Sequence, residues 1–423
     1  MEQGSNEEVA KIEPGYNPQG EWVNQLKLFA LSRGDSGLPV GFETRSGGAG
    51  DSPAYVPEFE ALCKYAELST HLPLDEVILI GDRKMATKGN QLIWLRENIG
   101  YIGPQTITEN DRKTLHNLLA AGEEWTKSDY VPQREEKKAE EKRNEYQYLG
   151  RSVSIEDEEG EDGEKKNYQV RQVYVRSAAL AAHETKRRKQ QIEVIENEIQ
   201  RIAGIVNKYD YKTAEIIAAR VQKKAFKKRG AQKYFTIKIE EDKNNAEAPL
   251  RLTYAIDQQQ VEQDAELAGI YMLVAGAKAA TLNDNEILKE WKGQYKVEHR
   301  FRMIQEIFLA HPIFLKKPDR IVSLIFLIMV GSLVAGLIER QVRRAVAEQE
   351  EPIQGLMPEG RDTLRPTIGR IFKAFAHYSL IRFKEGGKIV RRQLAKLDAV
   401  QQQILALLGL PEPAQIFGIA GQT

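Results

Sequence analysis

Glu290 to Phe308 read EWKGQYKVEHRFRMIQEIF, and this stretch decides how the chain is understood. Taken as one helix, it sets Val297, Phe301, Ile304 and Phe308 at spacings of four, three and four, an apolar stripe that must face a core. Glu298, Arg302 and Gln305 fall on an adjacent stripe, with Trp291 and Gln294 in the preceding turns. A carboxylate beside a buried seam can project into a cleft at the edge of a sheet. The same Glu–Arg spacing also makes an ordinary helix salt bridge.

The flanks of this stretch extend the pattern. Upstream, Gly269 to Val274 (GIYMLV) reads as a buried strand, and a helix is expected over Asn283 to Ile307, with Asn283 or Asp284 as its N-cap. Downstream, the Pro312 region breaks that helix. Ile321 to Ile338 then runs without a charge, bracketed by Arg320 and Glu339. That length is the lower limit of a membrane span, but a helix buried on all sides in a large α/β core has the same composition. The core helix is the expectation. From Arg365 the tail is expected to be helical and basic (Arg370, Lys373, Arg382, Lys384), turning at Gly386-Gly387 and continuing to about Leu408.

Towards the N-terminus, strand and helix signals alternate. Asn24 to Ser32 and Leu38 to Thr44 are β-like runs separated by a turn-rich linker. A helix over Val56 to Leu68 follows, and then a short apolar strand, Glu76 to Ile80, ends at Gly81-Asp82. A helix around Asn90 to Asn98 and a strand at Gly100 to Ile102 complete an α/β segment. The charged runs Arg134 to Glu145 and Glu156 to Glu164 read as solvated helix or linker. Further strands are expected at Tyr168 to Val175, Tyr234 to Glu240 and Leu250 to Ile256. Helices are expected from Ala178 to about Lys208 and from Lys212 to Phe226.

Composition sets few limits on function. The 61 basic and 61 acidic side chains cancel, so nucleic-acid binding rests on how charge is distributed and not on its sum. The acidic N-terminus has no apolar run to serve as a secretory signal, and a cytoplasmic location is expected. Cys63 is the only cysteine, which rules out an internal disulfide and a cysteine-based zinc cage. The six histidines, His71, His116, His183, His299, His311 and His377, show no metal-ligand spacing. No phosphate-cradling glycine loop ending in Lys-Ser/Thr and no serine nucleophile elbow is present.

Two carboxylates carry the candidate chemistry. Asp82 follows an apolar strand and a glycine, where the backbone leaves a sheet; aspartates there also commonly cap the next turn. Phosphodiester cleavage with divalent ions uses oxygen ligands that hold two cations about 3.5–4 Å apart. One carboxylate at a strand end and another on a facing helix, as Asp82 and Glu298 would be, can form part of such a site for Mg²⁺ or Mn²⁺. Lys186, Arg187, Arg188, Lys223, Lys224, Lys227, Lys228, Arg229 and Lys233 are candidate phosphate contacts, with Tyr234 and Phe235 as aromatic neighbours; solvated helix faces are the plainer reading of the same residues.

The string WKGQYKVEHRFRMIQ, followed by PIFLKKPDRI and an apolar helix, resembles the C-terminal signature of bacterial insertion-sequence DDE transposases. That family's pattern is an aromatic residue, an Arg three later, the catalytic Glu four after that and a Lys seven further on. The corresponding positions are Trp291, Gln294, Glu298 and Gln305, so the Glu matches while both basic positions are glutamine. Arg302 is retained after the Glu. ILIGDRKM resembles the strand of the second catalytic aspartate, which implies Asp82 as the second metal ligand, and GLPVGFETRSGGAGDS resembles the hairpin before it. The resemblance spans about Gly15 to Leu408.

The resemblance implies an α/β fold: an incomplete ribonuclease H-like mixed sheet with flanking helices, interrupted by an α+β insertion. The implied division is a polar tail over 1–23, the first part of the core over 24–125, a linker and inserted domain over 126–265, the second part of the core over 266–345 and a helical region over 346–423. It further implies double-stranded DNA as partner, a homo-oligomer and no membrane. The family's first catalytic Asp lies on a strand before the hairpin, whereas residues 1–23 contain no Asp, and Asp35 and Asp51 fall at other topological places. The chain is therefore expected to lack the first core strand and, alone, not to cleave DNA detectably. A non-catalytic DNA-binding remnant and a membrane-associated protein using 321–338 are the alternatives.

Overall fold

The structure, a computed structural model, describes residues 11–17, 20–34, 36–48, 77–136, 138–158, 165–227, 230–241, 248–306, 315 and 317–419. The expected helix over Val56 to Leu68, together with Asp35, Asp51, Cys63, His71, His311 and Pro312, lies outside the described residues. The chain is mixed α/β with several sheets. Contacts divide it into two compact units: Pro73–Trp291, and Met1–Leu72 with Lys292–Thr423.

The second unit draws on both ends of the chain. Its N-terminal part is an antiparallel sheet of β1 (Glu13–Tyr16), β2 (Trp22–Ser32) and β3 (Pro39–Ser46). β2 and β3 are the expected hairpin, with Leu28 opposite Thr44 and Ala30 opposite Phe42. Leu26, Leu28 and Ala30 alternate onto one face, which is why that face and not the other packs on a helical core.

The continuous unit, Pro73–Trp291, begins with β4 (Ile78–Ile80), α1 (Lys88–Arg96), β5 (Gly100–Gln105) and α2 (Glu109–Ala120). α2 starts at a capping box in which Thr108 and Asp111 satisfy each other's backbone N–H groups. β6 (Thr126–Lys127), β7 (Tyr146–Asp157), β8 (Lys166–Ser177) and α3 (Ala178–Ala203) follow. Next come α4 (Ala214–Arg220), the hairpin β9 (Phe235–Glu241) and β10 (Leu250–Ile256), α5 (Gln258–Glu266), β11 (Ile270–Gly276) and α6 (Asp284–Lys292). The main sheet has the order β4-β5-β11-β8-β7-β6. Only β4 and β5 are parallel; every other pair is antiparallel.

β11 is central and covered on both faces, so Met272 to Ala275 are all buried and its sequence reads as one apolar run. A separate core forms where Ile195, Ile199 and Ile202, spaced four and three along α3, meet Ile217, Val221, Phe226, Phe235 and Leu252. β7 and β8 come from the stretch 126–265, expected as a linker and insertion, yet they pair within the main sheet beside β11. The expected solvated run Glu156 to Glu164 begins inside β7. There Asp157 is 1% exposed and each of its carboxylate oxygens accepts a hydrogen bond from Arg96, so its charge is compensated in the fold.

The second unit resumes with α7 (Tyr295–Glu306), α8 (Pro318–Gln349), α9 (Ile368–Phe375), the strands β12 (Leu380–Glu385) and β13 (Lys388–Leu394), α10 (Ala399–Leu408) and α11 (Pro413–Ile416). The continuous helix expected over Asn283 to Ile307 is instead two helices, broken at Gly293-Gln294. Glycine costs about 1 kcal/mol in a helix interior, and the Gln294 carbonyl restarts the ladder by accepting the N–H of Val297 at 2.9 Å. Pro318 suits the first turn of α8, where no partner exists for its missing N–H.

α8 is the one helix among the described residues with the length and apolar composition to cross a membrane. One of its faces, including Ile321, Ile325, Ile328, Ser332, Ala335 and Val342, is buried within the chain. The opposite face exposes Phe326, Leu327, Val330, Val334 and Leu337. Glu339 lies on the buried face at 1% exposure; it pairs with Arg343 at 2.9 Å and accepts the first N–H of α9, from Ile368, at 2.9 Å. A carboxylate there satisfies an otherwise orphaned donor and complements the helix dipole. The tail is not continuously helical: residues 380–394 form an antiparallel hairpin closed by Gly386 and Gly387, whose φ of 54° and 81° suit a tight strand-to-strand turn.

Candidate functional site

Asp82 stands just past β4, in a loop fastened on several sides. The N–H of Gly81 donates to the Ile102 carbonyl of β5 at 3.2 Å. From α1, Asn90 donates to the Lys84 carbonyl at 3.0 Å and Gln91 to the Ala86 carbonyl at 2.7 Å. The Tyr101 hydroxyl donates to the Gln91 side chain at 3.1 Å, and burial pushes that phenol well above its usual range. Asp82 itself is exposed. Its Oδ1 accepts the N–H groups of Lys84 at 2.9 Å and Met85 at 3.3 Å, which makes it the cap of its own turn.

Glu298 is exposed in the first turn of α7, and Arg302 is exposed one turn later. Ile304 turns the other way, into the cluster of Ile321, Ile325 and Ile328 on α8, and so fixes which side of α7 carries the carboxylate. Gln305 is helical, but its side chain lies outside the described residues, and Gln294 is half-buried at the break between α6 and α7. Trp291 ends α6 with its ring 5.2 Å from that of Tyr271, packed on Ile102, Tyr146 and Leu273. Asp82 and Trp291 belong to the continuous unit, and Gln294, Glu298, Arg302 and Gln305 to the other, so neither unit by itself joins the two carboxylates. Among the described residues, no group of three or more histidine, cysteine or acidic side chains is arranged to hold a metal ion.

The candidate phosphate contacts separate into two sets. After α4 the backbone makes a π-helical turn, Val221–Ala225, that buries Val221 and Ala225. Lys223, Lys224 and Lys227 then line an open depression with Val194 and Glu198 of α3. Extra-wide helical turns of this kind are frequent at functional sites. Lys186 and Arg187 are exposed further along α3, while Lys228 and Arg229 lie outside the described residues.

Lys233 and Arg188 have structural partners instead. Lys233 is ion-paired with Asp264, and Arg188 donates to the Asp264 carbonyl at 2.7 Å. The aromatic neighbours Tyr234 and Phe235 are buried at the start of β9, and Tyr234 donates its hydroxyl to Asp264 at 2.7 Å. Neither ring is open for stacking on a base. Alternation along β9 turns Phe235 inward with Ile237 and Ile239, whereas Tyr234 is buried by the short helical turn Gly230–Tyr234 that precedes the strand.

Arg382 and Lys384, expected in a basic helix, belong instead to a basic hairpin. β12 and β13 set Arg382 opposite Arg392 and Phe383 opposite Arg391, whose guanidinium lies 5.6 Å from the Phe383 ring. The one available signal was the pair Gly386-Gly387, which is also the commonest kind of hairpin turn. Compared with family models and with curated proteins, the chain gives no match to either.

Proposed function

We propose that the chain is a transposase-like protein of the DDE class, a DNA-binding protein descended from an enzyme of metal-dependent phosphodiester cleavage and strand transfer. Supporting this reading above all is the setting of Glu298: an exposed carboxylate on the stretch WKGQYKVEHRFRMIQ, on a helix whose other side is anchored by Ile304 to a long apolar helix. The strand-end position of Asp82, beside the parallel pair β4 and β5, is consistent with a ribonuclease H-like ancestry of the mixed sheet. The reading brings with it duplex DNA as partner, a homo-oligomer, a cytoplasmic setting and no membrane.

Two exposed carboxylates are hard oxygen donors of the kind Mg²⁺ and Mn²⁺ take, and in this reading Asp82 and Glu298 hold the ion. Bound metal would polarise the scissile phosphate and activate the attacking oxygen. The chemistry uses a third carboxylate beside these two, and the expected signature of Asp82 and Glu298 without it is DNA binding without detectable nicking.

Calorimetric titration with Mn²⁺ tests the assignment. Binding that is abolished equally by Asp82→Asn and by Glu298→Gln supports a shared ion; no binding, or loss with only one substitution, removes it. A second reading, a DNA-binding protein with no metal site, is favoured by the use of Asp82 Oδ1 to cap its own turn. Salt-sensitive binding to duplex DNA from the flanks of its own gene, with no response to Mn²⁺, selects that reading.

A further inference from the structure

Residues 381–392 are exposed without interruption although they form two paired strands, and both faces of the β12–β13 hairpin share that exposure. An isolated two-stranded hairpin is at best marginally stable in water. This one is also strongly basic. Between residues 380 and 394 there are five cations, Arg382, Lys384, Lys388, Arg391 and Arg392, and the single carboxylate of Glu385. Arg382 and Arg392 are direct cross-strand partners, which sets two guanidinium side chains side by side on one face. An exposed ribbon with that excess of positive charge suits an anionic occupant.

The distribution of the cations indicates the shape of the occupant. Paired residues share a face, so Arg382, Arg392 and Lys384 lie on one side of the ribbon, and Arg391 and Lys388 on the other. A flat anionic surface engages one side of a ribbon; a groove between two phosphate rows engages both. The major groove of duplex DNA, about 12 Å wide, admits a two-stranded ribbon. Six or seven residues per strand span about 20 Å, enough to run along the groove past several phosphates. Exposed Ile381, Phe383 and Ile389 supply apolar contact to base edges or sugars.

We propose that the β12–β13 hairpin is a DNA-binding arm that enters a groove of duplex DNA, with Arg382, Lys384 and Lys388 contacting phosphates. The arm is a site separate from Asp82 and Glu298, and the choice of DNA over another polyanion rests in part on the transposase reading.

Fluorescence anisotropy of the full chain on a 25-base-pair duplex (about the span of a typical bent site), at several salt concentrations, tests this. Replacing Arg382, Lys384 and Lys388 together with Gln is expected to weaken binding at least about tenfold and to reduce the slope of log affinity against log salt by about 2–3. The Lys384→Arg/Lys388→Arg protein is expected to bind like the parent. Because all three side chains are exposed, the thermal midpoint of every variant should be no lower than that of the parent. Unchanged affinity and slope in the Gln variant overturn the arm but leave the transposase reading standing. If the parent chain does not bind duplex DNA at all, both are overturned. An arm that is needed for DNA binding, in a chain that takes no Mn²⁺, supports the arm and removes the paired carboxylates. Equal loss of binding to phosphatidylserine vesicles, without any duplex binding, assigns the ribbon to a membrane surface and overturns the proposal.

Discussion

Arg96 holds both carboxylate oxygens of Asp157, at 2.7 and 2.6 Å, joining the end of α1 to the end of β7. Asp157 is 1% exposed, so removing its charge leaves a buried amide facing the Arg96 guanidinium. Asp157→Asn is expected to cost about 3 kcal/mol, the low end for breaking a buried pair, because Arg96 keeps some contact with water. Urea unfolding monitored by tryptophan fluorescence measures it. A loss below about 1 kcal/mol, the range of a surface pair, would show that the contact carries little.

The lysines around α3 are expected to divide by role. Lys233→Ala breaks the ion pair with Asp264 and should lower the thermal midpoint while leaving duplex binding within about twofold of the parent. Lys223→Ala/Lys224→Ala/Lys227→Ala should do the reverse, weakening DNA binding and lowering its salt slope by about 2–3 with little change in stability. Equal effects of both variants on DNA binding would contradict the division.

Tyr234 and Asp264 impose a pH dependence at each extreme. Burial first, then the hydrogen bond and charge of Asp264, push the Tyr234 phenol up to about 12 from an ordinary 10.0. The neutral phenol is therefore the favoured native form, and its stabilisation is complete below pH 10 and lost as pH rises towards 12. Burial pushes the Asp264 carboxyl up, but hydrogen bonds from Lys233 and Tyr234 and the charges of Lys233 and Arg112 outweigh it and hold it below 3.8. Its contribution is present above pH 3.8 and lost on acidification beneath that value. In thermal midpoints measured against pH, Tyr234→Phe should flatten the alkaline limb and Asp264→Asn the acid limb. An alkaline limb that survives Tyr234→Phe would assign it to another group.

Ser332 is fully buried in α8, and its hydroxyl has no hydrogen-bond partner among the described residues. Burying such a group costs more than it returns, so Ser332→Ala is expected to stabilise the protein by about 1 kcal/mol. Calorimetric unfolding is the check, and a destabilised variant would mean that the hydroxyl is satisfied in solution.

Elements with one buried face were the legible part of this sequence. β10 was expected over Leu250 to Ile256 and occupies those residues, because its alternation is set by the core against α3. β11 was read from its apolar run, and the β2–β3 hairpin from its turn. The β12–β13 hairpin was read as helix for the opposite reason. With both faces in water nothing enforces a period of two, and long basic side chains suit either state. β7 was hidden where its acidic end ran into the charged stretch after it, since burial of Asp157 depends on Arg96, sixty-one residues away. The break at Gly293-Gln294 is overridden in the sequence by the apolar stripe, of which Ile304 is buried in α7 while Phe308 lies outside the described residues. Of the candidate site, the strand end before Asp82 follows the sequence. Capture of Lys233 by Asp264 could not be read, because that pairing is made by folding α5 against the start of β9.

The unit built from both ends of the chain fixes an order of events in the cell. Leu28 packs in the same cluster as Ile321, which leaves the ribosome 293 residues later. At roughly 5–20 residues per second, the β1–β3 sheet waits about 15–60 seconds for its partner, during which the whole of Pro73–Trp291 is synthesised. The interior unit can therefore complete its sheet while the hairpin that precedes it still lacks a core. Through that interval Leu26, Leu28 and Phe42 have no cluster to pack into, and transient apolar surface of this kind is what makes a nascent chain prone to aggregate.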